Sequence, residues 1–157
     1  MTSRFLWRNP GECAYNDSAP MPTVLIVDDD AAIRGMLYDL LRDQYECNTA
    51  SSAEEAFQYL EVEHYDAIIT DIAMPGTTGV ELLKRVQLRD ENTPVILISG
   101  KGSEQDPKSL LDLGAFAYLT KPFDLEEIEQ VVERAVGRKI AKCADLRPVG
   151  TFFISQM

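Results

Sequence analysis

From Thr23 onward, short β-branched runs alternate with longer segments of helical period, five pairs in all. The runs are Val24 to Val27, Cys47 to Ala50, Ala67 to Thr70, Val95 to Ser99 and Ala117 to Thr120. Stretches such as VLIV, AIIT and VILIS are apolar throughout instead of at every second residue, so both faces of each strand have to be covered. Parallel neighbours require crossover connections, and right-handed crossovers put helices on both faces of a sheet. The pattern predicts an α/β fold: a doubly wound, five-stranded parallel sheet with five helices.

The intervening segments carry their apolar residues at helical spacing. Ile33, Met36, Leu37, Leu40 and Leu41 mark the first helix, and Ala53, Ala56, Phe57 and Leu60 the second. Leu82, Leu83 and Val86 define the third, while Ile128, Val131, Val132 and Ala135 define the fifth. Ser52 with Glu55 forms a capping box, and Asp124 with Glu127 a looser one. The fourth helix has the faintest signal: Asp106 as N-cap, Pro107 at the first position, then Leu110, Leu111 and Leu113, with Gly114 as the stop.

At 157 residues there is room for one sizeable core but not for a second full domain. Residues 1–21 show no period and contain Pro10, Gly11, Asn16, Asp17, Ser18 and Pro20, so they read as a flexible N-terminal extension, with Met21 as an alternative start. The domain then spans 22–140 and a C-terminal tail 141–157. Pro148 and Gly150 in that tail precede an apolar cluster, Phe152, Phe153 and Ile154, suited to packing on the domain or on a partner.

Charge narrows the partners. The chain has 26 acidic and 15 basic residues, net −11, and residues 22–140 alone hold 23 acidic and 11 basic side chains, net −12. Phosphate backbones are bound by clustered Lys and Arg, so direct DNA binding by this domain is not expected. Cys13, Cys47 and Cys143 are odd in number and lack metal-ligand spacing, which fits a reducing cytoplasm. Phe5, Leu6 and Trp7 form too short an apolar run for a signal-peptide core of ~7–15 residues, and nothing approaches the ~20 residues of a membrane span. His64, the single histidine, reads as a surface or capping residue.

In open parallel sheets the functional crevice lies beyond the carboxyl ends of the strands, where strand order reverses. Here the first strand runs into Asp28, Asp29 and Asp30, the third into Asp71, the fourth ends on Ser99, and the fifth runs into Lys121 and Pro122. If the first and third strands are neighbours, the flavodoxin-like order 2-1-3-4-5, at least three carboxylates meet on one rim. At an effective dielectric of ~20 and ~5 Å, each pair repels by roughly 3 kcal/mol, so three pairs cost on the order of 10 kcal/mol. Such a cluster calls for a hard divalent cation, Mg²⁺ or Mn²⁺. Ser99 adds a hydroxyl donor and Lys121 a fixed positive charge, groups suited to the oxygens of a phosphoryl group. A carboxylate such as Asp71 can attack phosphorus and give an aspartyl phosphate.

VLIVDDD, IITDIAMPGTTG, VILISG and AYLTKPF resemble, in order and spacing, the signature blocks of two-component response-regulator receiver domains. The resemblance covers about residues 22–140. It implies that Asp71 is the phosphoacceptor, charged by a phosphohistidine on a sensor histidine kinase or a histidine phosphotransfer protein. It further implies that Asp29 and Asp71 ligate Mg²⁺, that Asp28 acts largely through water, and that the backbone carbonyl of Ala73 supplies another ligand. Asp30 caps the first helix in this reading. Lys121 would pair with the phosphoryl group, Ser99 would donate to it, and Tyr118, three residues before the lysine, would rotate inward as the switch aromatic. The output would be the surface of the fourth helix, fifth strand and fifth helix, offered to a downstream protein. Lys121–Pro122 corresponds to the family's cis-proline junction, and Ala73 is small where many members carry a larger or polar residue.

The same residues weigh against two other classes. A haloacid-dehalogenase-like phosphatase needs a second acid two residues after its nucleophile, and Ala73 stands there; Asp28 and Asp30 have that spacing, but the chain has no room for a substrate cap. A pseudo-receiver would lack one of Asp28, Asp29, Asp71, Ser99 and Lys121, and all five are present. No helix-turn-helix, cyclase or phosphodiesterase segment follows residue 140, so the expectation is a stand-alone receiver, with a fragment of a larger regulator as the alternative.

Overall fold

Strand β3 (Thr23–Val27) sends Val24 and Ile26 to one side of the sheet and Leu25 and Val27 to the other, and all four are buried. The same division recurs in β5 (Ala67–Asp71), where Ile69 and Ile68 face opposite ways, and in β6 (Val95–Ser99), where Ile96 and Ile98 oppose Val95 and Leu97. A strand buried on both faces cannot alternate polar and apolar residues, which is why VLIV and VILIS read as continuous runs.

In this computed structural model, described residues are the backbone of Phe5–Trp7 and Cys13–Tyr15, then residues 21–100 and 106–145, with side chains up to 140. The short strands β1 (Phe5–Trp7) and β2 (Cys13–Tyr15) pair antiparallel, Leu6 opposite Ala14. The segment was expected to lack regular elements; strands of three residues are too short for alternation to register as a period. The tail cluster Phe152 to Ile154 lies outside the described residues.

The main sheet has five parallel strands in the order β4-β3-β5-β6-β7, with β4 at Glu46–Ala50 and β7 at Ala117–Thr120. Counted within this sheet, the order is the expected 2-1-3-4-5. Helices α1 (Ala31–Leu41) and α5 (Leu125–Asp145) cover one face, where Leu37, Leu41, Ile128, Val132 and Ala135 meet Ile26, Ile69 and Ile96. Helices α2 (Ala53–Val62), α3 (Gly79–Arg89) and α4 (Pro107–Asp112) cover the other, with Ala56, Leu82, Leu83 and Leu110 against Leu25, Ile68 and Leu97. Each of these leucines and isoleucines, and Val132, stabilises the fold by about 1.5–3 kcal/mol through burial. α5 continues five residues past the expected domain end at 140.

The helix starts are set by local chemistry. Asp30 caps α1, its Oδ1 accepting the Ala32 N–H at 2.9 Å, and Thr78 Oγ1 accepts the Glu81 N–H at the head of α3. Ser52 caps α2 as expected, but the return arm of its box is displaced by one residue: Glu55 reaches the N–H and hydroxyl of Ser51. Asp106 occupies the N-cap of α4, where its carboxylate accepts from the Ser109 hydroxyl and, among the described residues, from no backbone N–H of the helix. Asp124 precedes α5, its carbonyl accepting the Ile128 N–H at 3.2 Å. In α4 the leucines divide: Leu110 is fully buried, whereas Leu111 and Leu113 are more than two-fifths exposed. Gly114 ends that helix with φ +108°.

Candidate functional site

Strand order reverses between β3 and β5, which lie side by side with Val27 opposite Thr70. The ladder extends one residue past the strand ends: the Asp28 N–H donates to Ala50 O, Ile72 N–H to Ile98 O, and Lys121 N–H to Ser99 O, at 2.7 to 3.1 Å. This levelling brings the residues at the carboxyl ends of four strands, β3, β5, β6 and β7, onto one rim.

Carboxylate oxygens of Asp28, Asp29 and Asp71 lie within 4.8 Å of one another. Asp28 and Asp71 are buried, while Asp29 is exposed at the mouth. Lys121 closes the far side, its Nζ 3.2 Å from Asp28 Oδ2 and 3.6 Å from Asp71 Oδ2. Ser99 is buried at the end of β6, one residue beyond the partner of Asp71 in the ladder, with its hydroxyl donating to Gly100 O at 3.1 Å. Ala73 is exposed on the β5–α3 loop, and its backbone N–H favours the charged form of Asp71. Tyr118 is half-buried in β7, paired in register with Leu97 and packed on the α2–α4 side. The Lys121–Pro122 peptide is cis.

The electrostatics follow from burial and crowding. Asp71 is pushed up to about 6, first by burial and then by the neighbouring charge of Asp28, with Lys121 pulling the other way. Burial also raises Asp28 above the usual carboxylate range, against the Asp30 N–H and the Lys121 charge. Burial alone would lower Lys121, but the attraction of Asp28 and Asp71 outweighs it and raises its pKa. Among the described residues, one ammonium thus pairs with two of the three clustered carboxylates, and an excess of negative charge remains. A donor set made only of carboxylate oxygens, partly solvated and under-neutralised, fits a hard divalent cation.

Of the residues singled out in the sequence, Asp28, Asp29, Asp71, Ser99 and Lys121 meet at this rim. His64 is an exposed residue whose carbonyl accepts from the Thr23 hydroxyl. Cys47, on β4, has its thiol pushed up to about 11 by burial. Sequence reasoning missed two charged side chains. Arg34 on α1 donates from Nη1 to Asp28 O at 2.7 Å. Lys139 on α5 is buried at the opposite end of the strands, donating to Asp90 and, at 2.9 Å, to Thr93. Both contacts join residues distant in the fold or on different turns, and no linear motif encodes them.

Fold and site together define a doubly wound α/β domain with an acidic, lysine-bridged cleft at its switch point. The chain belongs to the response regulator receiver domain family, whose model it matches over residues 24–133. It is 35% identical over 116 residues to the alkaline phosphatase synthesis transcriptional regulatory protein PhoP of Bacillus subtilis, covering 73% of this chain and 48% of that protein. It is 38% identical over 113 residues to the DNA-binding transcriptional regulator NtrC of Klebsiella pneumoniae, covering 71% of this chain and 24% of that one. This chain thus spans half or less of those relatives. A response regulator receiver domain protein from Clostridium thermocellum superposes with a TM-score of 0.71 at 30% identity, over 76% of this chain and 97% of that one. Among the described residues, no helix is long and apolar enough to cross a membrane.

Proposed function

We propose that the chain is a phosphoacceptor signalling module in which Asp71 receives a phosphoryl group from phosphohistidine. The observation that carries this reading is the placement of Lys121 between Asp28 and Asp71, beside a three-carboxylate cluster within 4.8 Å. An Asp71 oxygen attacks phosphorus as the phosphorus–nitrogen bond of the donor breaks; the imidazole leaves and takes up a proton. The buried carboxylate starts close to the phosphorus-binding position, and Lys121 supplies a fixed positive charge for the transferring oxygens. Ser99 can turn its hydroxyl from Gly100 O toward those oxygens, and Tyr118, on the neighbouring strand, is the aromatic whose rotation would report the change. Asp28, Asp29, Asp71 and the Ala73 carbonyl would hold Mg²⁺, or Mn²⁺ in its place. The cation would supply charge neutralisation for a dianionic phosphoryl group arriving among carboxylates.

The donor in this reading is a sensor histidine kinase or histidine phosphotransfer protein in the cytoplasm, and the recipient of the switched α4–β7–α5 face is a downstream protein. The chain turns over no substrate of its own beyond gain and loss of the phosphoryl group. Residues 22–140 form the receiver domain, between an N-terminal extension and a C-terminal tail. A second reading, a receiver belonging to a longer regulator, is favoured by the 48% and 24% shares of PhoP and NtrC that the chain spans. In that case output, including any contact with DNA, resides elsewhere.

The test is intact mass after incubation with acetyl phosphate and Mg²⁺, for wild type and Asp71→Asn. The expected result is one phosphoryl adduct on the wild type alone. No adduct on the wild type, with cation binding intact, overturns the phosphoacceptor role.

A further inference from the structure

Asp28 has every polar group engaged. Its N–H donates to Ala50 O at 3.1 Å, Oδ1 accepts the Asp30 N–H at 2.9 Å, Oδ2 accepts from Lys121 at 3.2 Å, and the carbonyl accepts from Arg34 Nη1 at 2.7 Å. Three of these partners come from sheet, loop or catalytic lysine. The fourth reaches back from the first turn of α1.

Arg34 also donates its own backbone N–H to Asp30 O at 3.0 Å. One residue thus grips the carbonyls on either side of Asp29, the exposed carboxylate of the cluster. Among the described residues, no hydrogen bond holds the Asp29 side chain, so its direction depends on the backbone that carries it. The guanidinium contact is short and charge-assisted, about twice as strong as a neutral one. An arginine suits this place because its rigid fork loses little freedom on fixing a carbonyl.

We propose that Arg34 is a positioning residue for the cation site: it locks the β3–α1 loop so that Asp28 and Asp29 face the same point. This deepens the metal-binding part of the proposed function and rests on it. The alternative role, charge relief for the carboxylate cluster, makes the opposite prediction. Removing a positive charge near a cation site should strengthen cation binding by Coulomb's law, whereas loosening the loop should weaken it.

The test is Mn²⁺ binding, read by electron paramagnetic resonance of the free ion at fixed ionic strength, together with amide hydrogen exchange of the metal-free protein. Wild type, Arg34→Met, Arg34→Gln and Arg42→Met are compared. Gln is too short to reach the carbonyl, and Arg42, exposed at the C-cap of α1, controls for charge. The expected result is about 10-fold weaker binding for Arg34→Met, the usual scale for losing a support of a metal ligand. Faster exchange at Asp30 and Ala32 should accompany it, with no weakening in Arg42→Met. Arg34→Gln serves in place of Arg34→Met if the latter does not fold. Unchanged or tighter binding overturns the proposal, as does weaker binding with unchanged exchange at those amides. Failure of both Arg34 variants to fold also overturns it, since the arginine then serves the fold. A wild type that binds no Mn²⁺ overturns the metal reading itself, and this proposal with it.

Discussion

Gly79 opens α3 against the backbone of Asp71 so closely that a Cβ at Gly79 would lie 2.2 Å from the Asp71 carbonyl oxygen. The Gly79 N–H donates to Ile72 O at 3.0 Å, which fixes the approach. The third helix can start directly beside Asp71 only because this position has no side chain.

Gly79→Ala is therefore expected to destabilise the fold by about 1–3 kcal/mol, since backbone and not a flexible side chain must yield. Urea melts measure the loss, and labelling by acetyl phosphate should fall with it as Asp71 shifts. Wild-type stability in the alanine variant would contradict the close packing.

A pH dependence follows from Asp71, which titrates at about 6 when folded and near 3.9 when unfolded. Below the lower value it is protonated in both states; above the higher it is charged in both, and the folded state bears the full penalty. Between them the native protein holds more protons, so stability without metal falls as pH rises from about 4 to 6. Asp71→Asn lacks this dependence. Its stability advantage over wild type should grow across that window to on the order of 2–3 kcal/mol. A constant gap in urea melts taken from pH 4 to 7 would contradict the assignment.

Lys121→Met removes the ammonium lying 3.2 Å and 3.6 Å from the two buried carboxylates. Stability at pH 7 without metal should drop by about 1–3 kcal/mol as Asp28 and Asp71 lose their counter-charge. Added Mg²⁺ should recover more stability in this variant than in wild type, which paired thermal melts would reveal. The rate of adduct formation with acetyl phosphate should fall as well.

Lys139→Met separates fold from site. The Lys139 ammonium is buried against Asp90, the C-cap of α3, and Thr93, and Asp66 feels its charge. Its loss should cost about 1–3 kcal/mol by removing the counter-charge of Asp90, which keeps only the Asn92 N–H and the Thr93 hydroxyl among the described residues, and the donor to Thr93 Oγ1. Mn²⁺ affinity should be unchanged, because Asp90 and Thr93 precede β6 and the carboxylate cluster follows the other ends of the strands.

Most of the architecture was legible because the strands are buried on both faces, and continuous apolar runs are the direct record of that burial. The site was legible for a related reason: in a parallel sheet, residues that follow the strands share a rim, so Asp28, Asp71 and Lys121 could be brought together before any coordinates. What stayed hidden depends on through-space meetings. Lys139 finds Thr93 across 46 positions of sequence, and no period or motif marks it. Arg34 carried no signal, since nothing in a linear string says that its fork turns back to the Asp28 carbonyl. The β1–β2 pair escaped notice because three residues cannot establish an alternation.

Two-sided burial has a consequence for the chain before it folds. TVLIV, AIIT and VILIS are uninterrupted, β-prone apolar segments, the composition from which intermolecular strand stacking grows when it is exposed. TVLIV is followed by Asp28, Asp29 and Asp30, and AIIT by Asp71. Charges flanking such segments act as gatekeepers against aggregation. The carboxylates gathered at the rim of the native sheet thus stand, in the unfolded chain, as like-charged guards beside its central strand β5 and the neighbouring β3.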